Sequence, residues 1–168
     1  MEKHELVDIN GNKTGNVLTH VEVRDESNIP YGCYISVVGV VILNNDNEVL
    51  LQKRSKYKIV NASKWGICGG KVDFNETIIE AGMRETLEEI GVSLNKDNLK
   101  FLSMDTVGKA HFTVYYTKQD IDISKCILQE EELEEVKYFK IEELDSLDNE
   151  DFEWLDSLKK VIDEEYIW

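Results

Sequence analysis

The chain has 168 residues, 42% of them hydrophobic, which suits one globular domain with its own core. Its 34 acids against 19 lysines and arginines give a net charge of −15, which argues against a general nucleic-acid binder, since a phosphate backbone needs a cationic footprint. There is no apolar run long enough to span a membrane, no signal-peptide-like start and no CxxC pair among Cys33, Cys68 and Cys126; disulfides and a zinc site are not expected, and a reducing cytoplasm is.

In chain order, Glu5–Ile9 and Gly15–Thr19 flank Asn10-Gly11, a pair that tolerates positive φ, and predict a hairpin. Pro30 closes this N-terminal extension, residues 1–30. Tyr34–Leu43, rich in Val and Ile, predicts a buried strand, returned after Asn44–Asn47 by Glu48–Lys53. From Gln52 to Lys71 there are six basic residues and no acid, a segment that could draw in a small anion, although solvated loop lysines explain it equally well. Leu99–Val107 and Ala110–Thr117 predict a strand pair around Gly108, and Glu134–Phe139 a short strand. Asp151–Asp163 predicts a helix with Phe152, Leu155, Leu158 and Ile162 on one stripe. The last 40 residues carry 16 acids and four lysines. The expectation is a single mixed α/β domain.

The segment Gly70–Val92 carries the chemistry. Thr77 and Glu80 form a T-x-x-E capping box that starts a helix near Ile78, and Gly91 ends it near Ile90. At 100° per residue Ile79, Met83, Leu87 and Ile90 share a face, expected to be the core side. Glu85, Glu88 and Glu89 cluster opposite, where like charges cost stability unless a cation joins them. Such hard oxygen donors select Mg²⁺, Mn²⁺ or Ca²⁺ rather than zinc, and a divalent ion held by few carboxylates suits diphosphate chemistry. For an isolated E-x-x-E-E a solvated acidic face would be the better explanation.

The spacing is more specific. Gly70, Glu76, Arg84, Glu85, Glu88, Glu89 and Gly91 resemble the Nudix box, G-x5-E-x7-R-E-U-x-E-E-x-G-U with U apolar, at every fixed position; Thr86 departs only at the first U. The resemblance implies a Nudix α/β/α sandwich with a mixed sheet, here with the N-terminal hairpin added, and a pyrophosphohydrolase that uses Mg²⁺ or Mn²⁺. It implies metal binding by Glu85, Glu88, Glu89 and the Gly70 carbonyl, and an Arg84–Glu76 pair that holds the helix to the preceding loop. The general base would lie on the helix (Glu85 or Glu88) or in a later loop, where Glu132 is the choice among Glu130, Glu131 and Glu132. Lys53, Arg54 and Lys71 are candidates for substrate charge. Trp65 is a candidate for stacking and equally a core anchor. The partner expected is a small phosphorylated metabolite such as a nucleoside diphosphate derivative, with no nucleic-acid polymer and no membrane; the sequence is compatible with a homodimer.

Two alternatives share the fold. The segment ELVDINGNKTG looks like the start of isopentenyl-diphosphate isomerases and their hydrolase relatives; the isomerases carry a catalytic Cys where Cys68 stands but use a histidine-rich metal site, whereas here no histidine adjoins Cys68, which reads better as a packed small residue. A non-catalytic Nudix-like binding module usually loses box carboxylates, and this chain has lost none.

Overall fold

The computed structural model describes residues 2–149 and 152–165. Its strands are β1 (Lys3–Val7), β2 (Lys13–Thr19), β3 (Tyr34–Leu43), β4 (Val49–Arg54), β5 (Trp65–Gly66), β6 (Cys68–Lys71), β7 (Lys100–Val107), β8 (Ala110–Lys118) and β9 (Leu133–Phe139). Its α-helices are α1 (Ile78–Ile90), α2 (Ile141–Leu144) and α3 (Leu155–Glu165).

The run Tyr34–Leu43 becomes the central strand because both of its faces are covered. Val38, Val40 and Ile42 alternate with Val41 and Leu43, and all five are buried. The even-numbered set joins the core beneath α1, where Gly82 comes so close to Val40 that an added Cβ would sit 2.9 Å from its Cγ2. Val41 and Leu43 meet Leu155, Leu158 and Ile162 of α3 on the other side. A continuous apolar strand is the pattern expected of a sheet covered on both faces.

The sheet is mixed. β3 runs parallel to β8 from Ile35↔Ala110 to Leu43↔Lys118, and antiparallel to β1, β4 and β6. β9 pairs with β4, and β7 with β8. The N-terminal hairpin continues this sheet, with Leu6 opposite Ile35 and Val7 opposite Tyr34. The architecture is therefore α/β, helices flanking one curled mixed sheet.

Several boundaries differ from the sequence reading by a residue or two, and three differences are larger or have a clear cause. The first hairpin strand begins at Lys3 and ends at Val7, because the Asp8 carboxylate accepts from the amides of Asn10 and Asn12 and turns the chain early. Cys68–Lys71, for which the sequence reading gave no strand, is β6, with Cys68, Gly69, Gly70 and Lys71 opposite Val40, Gly39, Val38 and Val37. The last helix starts at Leu155, leaving Phe152 ahead of it; the expected start, Asp151, lies outside the described residues.

Candidate active site

Helix α1 starts with the reciprocal cap its sequence encodes. Thr77 Oγ1 accepts from the Glu80 amide at 3.2 Å, and the Glu80 carboxylate accepts from the Thr77 amide at 2.8 Å. Gly91 ends it with φ 72°, donating to the Leu87 carbonyl at 3.0 Å. Arg84 ties the helix to the strand and loop before it. Its Nε and Nη2 donate to both oxygens of Glu76 at 2.9 Å, and Nη2 also donates to the Lys71 carbonyl at 3.1 Å. Such a bidentate pair fixes direction as well as charge. Burial pushes the Glu76 carboxyl up, but Arg84 and the Asp73 amide pull it below its ordinary value.

The core face of α1 is rotated from the one read in the sequence. Leu87 is 51% exposed, while Ala81, Gly82, Thr86, Glu89 and Ile90 are buried; Ile79 and Met83 pack at the edge. The cause is the close approach of β6 and β3, which admits only small or hydrogen-bonded side chains. Thr86 fits by donating to the Gly82 carbonyl at 2.8 Å. Gly70 faces Glu85 so closely that an added Cβ would stand 2.4 Å from the carboxylate.

The three carboxylates therefore do not gather on one outer face. Glu88 is exposed, and Arg84 Nη1 bridges it to Glu85, at 3.4 Å and 2.8 Å. Glu89 turns inward and accepts from Gln52 Nε2 at 2.9 Å and the Gly69 amide at 3.0 Å. Burial pushes its carboxyl up to about 8, against the pull of those two hydrogen bonds. Glu85 is also raised, first by burial, with Glu88 and Asp73 adding to it and Arg84 opposing. The hard-oxygen donor set and a buried carboxylate short of positive charge both fit a divalent cation here.

These groups line one cleft of about 450 Å³ with Gly69, Gly70, Arg54, Lys58, Lys71, Arg24, Gln129 and Glu132. That volume is in the range of small-molecule sites. Glu132 enters it paired with Lys58, whereas Glu130 and Glu131 are exposed and stand outside. Burial, and the nearby charge of Arg24, hold the Lys71 ammonium below its ordinary value.

Two expected contacts are not brought here. Strand alternation turns Arg54 to the cleft and Gln52 to the buried Glu89 behind it, and turns Lys53 away, to a 4.0 Å ion pair with Glu134. Trp65 packs edge-on against Phe139, ring centres 4.7 Å apart, in the core beneath α3. Cys68 is buried, outside the cleft lining, and its thiol donates to Gln52 Oε1 at 3.3 Å. Burial, with the Glu89 charge adding, pushes that thiol well above its ordinary range, so it stays protonated. Arg24 was not singled out in the sequence, Lys58 only as one of the six basic residues between Gln52 and Lys71, and Gln52, which lies behind the cleft and holds Glu89, not at all. Only the alternation along β4, once Arg54 is a candidate, could have pointed to Gln52.

A NUDIX domain model matches residues 34–158. The chain is 28% identical over 148 residues to a Nudix hydrolase of Listeria monocytogenes, covering 88% of this chain and 85% of that one. Its fold matches a Deinococcus radiodurans crystal structure with a TM-score of 0.70 and 19% identity, covering 95% of this chain and 98% of that one. It likewise matches the NUDIX domain of Shewanella oneidensis NrtR, solved with ADP-ribose, with a TM-score of 0.63 and 19% identity over 88% of this chain and 99% of that one. A cleft walled by the intact box, on this fold, defines a pyrophosphohydrolase class of enzyme, and the chain belongs to the Nudix family.

Proposed function

We propose that the chain is a Mg²⁺- or Mn²⁺-dependent hydrolase that cleaves the diphosphate linkage of a small phosphorylated metabolite, a nucleoside diphosphate derivative by preference. The observation that carries this reading is the two-sided cleft, with Glu85, Glu88 and Glu89 on one wall and Arg24, Arg54, Lys58 and Lys71 around the other. One side supplies oxygen donors for a metal, and the other supplies charge for phosphate oxygens.

Glu85, Glu88, Glu89 and the Gly70 carbonyl would hold the ion, which supplies charge neutralisation at phosphorus and a more acidic water. Arg84 orients Glu85 and Glu88 through its fixed pairing with Glu76. Gln52 and the Gly69 amide aim Glu89. Glu132 is placed to accept the proton of the attacking water once a substrate phosphate draws Lys58 away. Arg54, Lys58 and Lys71 orient the diphosphate and offset charge on its bridging oxygen as that bond breaks. The NrtR domain with its bound ADP-ribose supports a nucleoside diphosphate substrate. The overall charge of −15 favours a small substrate over a nucleic-acid polymer. No helix among the described residues is long and apolar enough to cross a membrane; a cytoplasmic location is part of the proposal.

The test is a panel of nucleotide sugars, dinucleotides and nucleoside di- and triphosphates incubated with Mg²⁺ or Mn²⁺, with both products resolved by mass. Metal-dependent cleavage at a P–O–P bridge is expected, and the same ions should raise the melting temperature by binding the native state. Full turnover in excess chelator would remove the metal from the reading. A double-bond shift in isopentenyl diphosphate, lost in Cys68→Ala, would replace hydrolysis with isomerisation.

A further inference from the structure

We propose that Glu2, His4 and His20 form a second metal site, for a borderline transition ion of the Zn²⁺ class, separate from the box carboxylates. Among the described residues only this trio brings three potential ligand atoms of His, Cys, Asp or Glu within 4.8 Å of one another. The hairpin register assembles it: the His20 amide donates to the Glu2 carbonyl at 3.0 Å, and His4 lies opposite Leu18. Cysteine spacing argued against a zinc site, but these ligands are imidazoles brought together by strand pairing.

The distances suit one small ion. His4 Nε2 and His20 Nδ1 are 3.3 Å apart, and His20 Nδ1 is 3.2 Å from Glu2 Oε2. Two ligand atoms on a tetrahedral zinc, with bonds of about 2.0–2.1 Å, stand about 3.3–3.4 Å from each other. His4 is 2% exposed, and its Nδ1 lies 3.0 Å from the Val72 carbonyl. That hydrogen bond fixes the tautomer and leaves the Nε2 lone pair aimed at His20, the orientation in which a second partner commonly holds a metal-bound imidazole. Two imidazoles and a carboxylate form a zinc donor set, unlike the oxygen-only set on α1. All three residues line the cleft, so the fourth position opens on it.

The metal-free arrangement is a hydrogen-bonded chain. Arg24 donates to His20 Nε2 at 3.2 Å, His20 Nδ1 donates to His4 Nε2, and His4 Nδ1 donates to Val72. The ion takes the place of the proton between the rings; His20 then carries its proton on Nε2, and the exposed Arg24 contact opens. Arg24 and Lys71 oppose the added charge. Glu2, and Asp73 at 3.5 Å from His4 Nδ1, favour it.

The test uses the untagged chain, stripped with chelator and titrated with Co²⁺ and then Zn²⁺. One tightly bound ion per chain is expected by elemental analysis, with Co²⁺ d–d bands of low-coordinate intensity and no thiolate charge-transfer band. Binding should persist in Glu88→Gln and weaken at least about a hundredfold in both His20→Asn and the more exposed Glu2→Gln. Unchanged affinity in either His20→Asn or Glu2→Gln overturns the site, as does loss of the ion in Glu88→Gln or a thiolate band. The readout is binding alone, so failure of the hydrolase reading leaves it intact.

Discussion

The two walls of the cleft are built in opposite ways. The acidic wall comes from one segment, Gly70–Gly91, in which cap, ion pair and glycine cradle all lie within one helix and the strand and loop before it. The other wall is collected from Glu2, His4, His20, Arg24, Arg54 and Lys58, spread over the N-terminal hairpin, the turn after it, β4 and the loop that follows, and is joined by Lys71 of β6. The first wall is stiff and shared with a family. The second depends on how the hairpin and the β4–β5 loop settle. Chemistry on the first and selectivity on the second is the division of labour this suggests.

The largest expected effect tests the acidic wall. Glu88→Gln and Glu89→Gln should each lower kcat by at least about a hundredfold while the protein stays folded. They should differ in one respect. Glu89 titrates at about 8 in the metal-free fold, above its ordinary value of 4.5, so the native state holds that proton more tightly than the unfolded chain. Its contribution to stability is full below pH 4.5 and is lost as pH rises through about 8. Metal-free wild type should therefore show a falling melting temperature across that window, and Glu89→Gln a flatter profile. Wild-type turnover in both variants would break the assignment of the wall.

Arg84→Ala comes next. It strips Glu76 of a bidentate partner and frees the Lys71 carbonyl, and should cost about 2 kcal/mol in denaturant unfolding as well as activity. A loss of activity with unchanged stability would move Arg84 from scaffold to substrate. The mixed wall is tested by KM. Arg54→Ala and Lys71→Ala should each raise it roughly tenfold, about 1.4 kcal/mol of binding. Lys53→Ala, on the far face, should leave it unchanged; equal effects in all three would mean that long-range charge and not contact is at work. The smallest effect belongs to Cys68→Ala, which should keep most activity and lose about 1 kcal/mol of stability from packing.

The same contrast explains what the sequence disclosed. Caps are local, so the bounds of α1 could be read from spacing, and the reach of Arg84 to Glu76 came with the resemblance to the Nudix box. The central strand was legible because both its faces are apolar. The rotation of α1 was not, since it depends on Gly69 and Gly70 bringing β6 close enough for Glu89 to enter the core, a tertiary fact. Lys53 and Arg54 are neighbours of equal charge, and only the pairing of β4 decides which one faces the cleft. His4 and His20 are sixteen positions apart and meet only through the hairpin register.

One pair of contacts bears on how much of the chain is needed. The Phe74 amide donates to the Lys3 carbonyl at 2.7 Å, and His4 holds the Val72 carbonyl at 3.0 Å. Strand β1 thus splints the stretch that joins β6 to the box helix. Proteolysis that removed the hairpin would unmoor that stretch without touching a box residue. A chain cut to residues 34–158, the span that the family model matches, is therefore expected to lose activity although every box residue is present.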